Sequence, residues 1–155
     1  MWRGSVVCLE SRAMKNEHDA PNGEARVHAV LHTARLADEQ QVSEVAALFR
    51  RSRDLNPLLG IGGALLFDGE RLAQLLIGAQ AVLAERLRML AAESGHVDVR
   101  LLFNGEVDAS AVTSQSWRAG WAPPDALAVL DSNPQPRGPE ALQTFLALLP
   151  DCDLL

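Results

Sequence analysis

Ile61-Gly62-Gly63-Ala64-Leu65-Leu66-Phe67 and Arg71-Leu72-Ala73-Gln74-Leu75-Leu76-Ile77 are two apolar runs joined by Asp68-Gly69. Asp-Gly between such runs predicts an antiparallel hairpin closed by a tight type I′ turn. Upstream, Val42, Val45, Ala46 and Phe49 recur at helical spacing, with Glu39, Glu44, Arg50 and Arg51 on the other face. That pattern predicts an amphipathic helix from about Asp38, a candidate cap, to about Arg53. Leu55-Asn56-Pro57 ends it, because the residue before proline avoids the helical region. Before the helix, Val27 to Thr33 is a short apolar and β-branched run, expected to be a strand.

Downstream of the hairpin a second helix is expected from about Ala79 to Ser94, turning Val82, Leu83, Leu87, Leu90 and Ala91 inward. Gly95 stands where a left-handed C-terminal cap belongs. Val97 to Phe103 is a further strand, and a weaker one lies near Ser114 to Trp121. After Pro123-Pro124 the chain loosens, with a helix expected from Pro139 to Leu149. The order is β-α-β-β-α-β-(β), then helix. It predicts an α+β ferredoxin-like sandwich with two helices on one face of a mixed sheet, and a C-terminal helical tail. In that topology the first strand runs beside the third, which lets His32 face Gln74. Residues 1–25 are polar and aperiodic and are expected to be a mobile leader, 26–122 the domain, and 123–155 a partly helical extension.

Composition narrows the function. The chain has 155 residues, one domain's worth, with Lys+Arg 14 against Asp+Glu 20 and a net charge of −6. That balance argues against sequence-independent nucleic-acid binding and against docking on anionic membranes. No apolar stretch of about 18 residues exists to span a bilayer. Cys8 and Cys152 stand alone near opposite ends, which suits a soluble cytoplasmic protein rather than a disulfide framework. The chain contains no tyrosine.

Gln74 interrupts a run that is apolar on both sides, and a buried carboxamide is costly unless it is paired. It is either bonded internally or aimed at a polar ligand between the helices. Asn56 raises the same question, its plainer role being a turn residue before Pro57. The glycines of Asn56-Pro57-Leu58-Leu59-Gly60-Ile61-Gly62-Gly63 do not form a phosphate loop, since no lysine is present and a strand follows. His28 and His32 share a strand face without the further ligands that zinc takes. His96 stands where it can bond the carbonyls ending the second helix. No nucleophile has a base at usable spacing, so hydrolysis or transfer chemistry is not supported and the chain is not expected to be an enzyme.

From Val27 to Trp121 these residues resemble the BLUF family, blue-light sensors using FAD. The strongest stretch runs from Asn56 through the hairpin to Gln74 and Gly78. The resemblance implies that Asn56 and Gln74 hydrogen-bond the polar edge of a flavin ring slotted between the two helices. It also implies that His96 is the histidine of the family's motif after the second helix, whose arginine is replaced here by Gly95. In photoactive members a first-strand tyrosine yields an electron and a proton through the glutamine. That tyrosine falls at His32 and its neighbouring serine at Ala34, while Gly62, Ile77 and Leu72-Ala73 also depart from the pattern. Trp121 matches the family's tryptophan, with Pro123 where methionine is expected. Imidazole is a far poorer electron donor than phenol, so the tyrosine-dependent photocycle is expected to be impaired or lost.

The resemblance therefore implies a flavin-binding sensor domain that signals to a downstream protein partner, through the sheet's outer face or the tail. The competing expectation is a flavin-free interaction module that keeps only the fold as a scaffold, with a homodimer through its exposed sheet as one form of it.

Overall fold

The computed structural model describes residues 26–37, 42–92, 96–112 and 116–155. Strands β1 (Arg26–Leu36), β2 (Gly62–Phe67), β3 (Arg71–Gly78), β4 (His96–Asp108), β5 (Trp117–Trp121) and β6 (Asp153–Leu154) form one sheet in the order β4-β1-β3-β2-β5-β6. β2 and β5 run parallel and the other neighbours antiparallel, so the sheet is mixed. Helices α1 (Val42–Leu55) and α2 (Gln80–Ala91) lie on one face, the predicted α+β sandwich.

β2 is buried at every position and β3 at every position from Leu72 to Ile77. Such strands are apolar throughout because both faces are covered. On the helix side Val45, Leu48 and Phe49 of α1 and Leu83 and Leu90 of α2 pack on Val30, Leu65 and Leu76. On the other side a 3-10 helix (Ala126–Asp131) and α3 (Pro139–Leu148) bring Leu127, Leu130, Leu142 and Phe145 onto Leu31, Leu66 and Leu75. The sheet face expected to be exposed is therefore covered. Each of those four side chains contributes about 1.5–3 kcal/mol when buried, against about 0–1 kcal/mol for an exposed ion pair. Apolar contact supplies most of what holds the tail.

The hairpin is closed by a different turn from the one expected. Only Gly69, the first of the two central residues, has a positive φ (102°), whereas a type I′ turn needs two. Asp68 takes the preceding corner, its Oδ1 accepting the N–H groups of Glu70 (3.1 Å) and Arg71 (2.8 Å). Its Oδ2 accepts the Leu127 N–H at 2.9 Å, so the same buried carboxylate fixes the tail to the hairpin.

Other boundaries also move. α1 runs from Val42, and the candidate cap Asp38 lies outside the described residues, as does Gly95. Ala91, expected to face inward, is exposed at the end of α2. β4 continues to Asp108, beyond Phe103, because β1 offers it a partner along its whole length. As an edge strand half open to solvent, it tolerates Asn104, Gly105 and Glu106, which carry no strand signature. Among the described residues no helix is long and apolar enough to cross a membrane.

Candidate functional site

β1 and β3 pair with His32 directly opposite Gln74, and the two side chains meet on the helix side. His32 Nε2 lies 2.8 Å from Gln74 Oε1. An amide oxygen only accepts, so Nε2 carries the proton and Nδ1 is left as a bare acceptor. Nδ1 is buried and has no partner among the described residues. β1 bulges against β4 between Leu31 and His32 and again between Thr33 and Arg35, the kind of irregularity that re-aims a side chain. Gln74 is thus paired, and its amide nitrogen makes no hydrogen bond among the described residues.

Burial pushes the His32 imidazole from near 6.5 down to about 4, opposed by the bond to Gln74 and reinforced by the nearby His96 and Arg86. Between those two pH values the unfolded chain binds a proton that the folded chain does not. The stability this group contributes is full above the unfolded value and is lost as pH falls toward the folded one, by about 3 kcal/mol. Urea unfolding at pH 7.5 and 4.5 is expected to show that loss, and His32→Gln to reduce it. Equal pH dependence in the two proteins would contradict the assignment.

Asn56 follows α1 and is fully buried. Its backbone is in use: the N–H bonds the Ser52 carbonyl at 2.9 Å, and its own carbonyl accepts from Leu59 (3.1 Å) and Ile61 (2.9 Å). The turn role is therefore met by the main chain. The side chain is left for another purpose. Oδ1 accepts from Arg86 Nε at 3.1 Å, and Nδ2 is buried with no partner among the described residues. A buried N–H₂ without an acceptor is rare and costly, and is a feature that a ligand carbonyl would satisfy.

Arg86 is the residue that sequence reasoning missed. It is 3% exposed, on the inward face of α2 with Leu83 and Leu90. Its place three residues after Leu83 and four before Leu90 was the available signal. By fixing Asn56 Oδ1 it turns Nδ2 away from itself, and it brings a buried cation up to the end of α1.

His32, Gln74 and His96 line a gap between the helices, walled by Leu48 of α1, Leu87 and Leu90 of α2, and Leu65 and Leu72 of the sheet. Its volume is about 30 Å³, room for a water or two rather than a ring system. His28 is not part of it: its Nε2 lies 2.5 Å from Asn104 Oδ1 at the surface. Trp117 is buried with its Nε1 donating to Ser52 Oγ at 3.2 Å, while Trp121 makes edge contacts with Phe49 and Phe67.

A mixed sheet that presents a paired His–Gln, a histidine and an apolar gap beneath two helices, with an unsatisfied asparagine amide at the end of α1, defines an α+β domain whose polar groups gather under its helices. The family model for BLUF, sensors of blue-light using FAD, matches residues 27–118. The chain belongs to the BLUF family of flavin-using blue-light sensors.

Solved structures agree on the fold. BlrB, a BLUF protein in its dark state, is 21% identical with a TM-score of 0.64, over 80% of this chain and 95% of that one. BlsA in a photo-activated state is 16% identical with a TM-score of 0.63, over 81% of this chain and 95% of that one. The chain spans only 21% of Klebsiella pneumoniae BlrP1 with FMN and cyclic diGMP, and 23% of a bacterial light-regulated adenylyl cyclase, both at a TM-score of 0.48. No curated protein matches the chain.

Proposed function

We propose that this BLUF domain binds FAD between α1 and α2, has lost the tyrosine-dependent light reaction, and signals through protein–protein contact rather than turnover. The observation that carries the reading is the buried, partnerless Asn56 Nδ2, held in orientation by Arg86. The donor set fits a flavin's polar edge: Asn56 and Gln74 both offer amide N–H groups to ring carbonyls, and Leu48, Leu87 and Leu90 offer apolar walls. When bound, the flavin supplies blue-light absorption. The gap of about 30 Å³ requires those leucine walls to part for the ring to enter. His32 keeps Gln74 Oε1 occupied, which leaves the amide nitrogen of Gln74 to face the ligand.

The test is FAD affinity of the full chain against Asn56→Leu and Gln74→Leu, each checked for folding by circular dichroism. Each variant removes a hydrogen bond to the ring and is expected to weaken binding about tenfold or more. Affinity unchanged in both folded variants would overturn the assignment of these two residues.

A further inference from the structure

On α1, Leu48 faces the gap between the helices, whereas Phe49, Arg50 and Arg53 face β5. With Trp117, Ala119 and Trp121 they line a separate cavity of about 290 Å³. That is close to the lower end, about 300 Å³, of pockets that hold small molecules, and about ten times the room between the helices.

Its walls are rigid and aromatic. Trp117 is fixed by its hydrogen bond to Ser52, and Trp121 by edge contacts with Phe49 (5.5 Å) and Phe67 (5.6 Å). Its rim is cationic in a chain whose net charge is −6. Arg50 makes no ion pair among the described residues, and the carboxylate paired with Arg53 is that of its exposed chain neighbour Asp54, at 4.0 Å. Ala119 on β5 and Ala46 on α1 are the smallest side chains in the lining and leave the space between the two elements open.

We infer that this cavity is a second ligand site, which takes a planar aromatic carboxylate: the ring between Trp117 and Trp121, the carboxylate on the guanidinium groups of Arg50 and Arg53. Guanidinium binds carboxylate through paired N–H groups, and indole faces suit flat apolar rings. The site is built by α1 and β5 and does not depend on flavin binding between the helices.

The test titrates the full chain with indole-3-acetate and with uncharged indole-3-acetamide, by calorimetry and by amide NMR shifts. The acetate is expected to bind about tenfold more tightly than the amide and to shift the signals of Trp117 and Trp121. Arg50→Gln/Arg53→Gln, at exposed positions, is expected to bring the acetate down to the level of the amide, and Ala119→Leu to fill the cavity and weaken both probes. Equal binding of the two probes, no binding of either, an unchanged double variant, or shifts confined to His32 and Gln74 would each overturn the assignment.

Discussion

Gly63→Ala is expected to destabilise the domain by more than about 4 kcal/mol, enough to leave little folded protein. Gly63 lies in β2, between β3 and β5, at a φ of 123° that side-chain-bearing residues rarely adopt. A Cβ built there falls 1.9 Å from the Leu75 carbonyl oxygen. The atom in the way is backbone, so no rotamer change relieves the clash, and β2 must move away from β3. The move breaks the ladder on which Gln74 and the hairpin depend. Gly69→Ala is the control: its φ of 102° is also strained, but nothing lies within 4 Å of the added methyl. That variant is expected to lose about 1 kcal/mol. Urea midpoints measure both, and a Gly63→Ala protein within 1 kcal/mol of the parent would refute the packing described for this strand.

The second large effect is on light response. Illumination of the flavin-loaded protein is expected to produce none of the reversible small red shift typical of the family. The resemblance sets His32 at the family's tyrosine position, and the chain contains no tyrosine that could stand in from elsewhere. His32 sits where such a residue would act, opposite Gln74 and 2.8 Å from its oxygen, but an imidazole does not give up an electron as a phenol does. Burial holds it neutral, with one proton engaged by Gln74. Trp117 and Trp121 are the remaining aromatic donors on β5, and neither is hydrogen-bonded to Gln74. An indole can reduce an excited flavin, but the contacts of these two run to Ser52, Phe49 and Phe67 and give no proton route through Gln74 among the described residues. A light-minus-dark difference spectrum measures this, and a reversible red shift would show that His32 or a tryptophan sustains the reaction.

The hairpin was legible because both of its strands are buried on both faces, which makes the apolar runs unmistakable. The neighbouring positions of His32 and Gln74 followed from topology alone, and the observed register bears that out. The turn type was not legible, because Asp-Gly suggests both residues at the centre, whereas the Asp68 carboxylate places it at the corner. β4 was read too short because an edge strand need not be apolar. β6 is two residues long and has no periodicity to read. Within the site, residue types and spacing exposed Asn56 and Gln74 as misplaced polar groups. That the asparagine's oxygen is held by Arg86 while its nitrogen is left over is a matter of three-dimensional contact that no spacing carries.

The most direct test of the account is the near-UV and blue absorption of the full chain after incubation with FAD and removal of the free cofactor by gel filtration. A structured flavin band that co-elutes with the protein is the predicted result, and Asn56→Leu should diminish it. A colourless protein, even after excess FAD, would contradict the central claim and leave a BLUF domain that keeps the fold without the flavin.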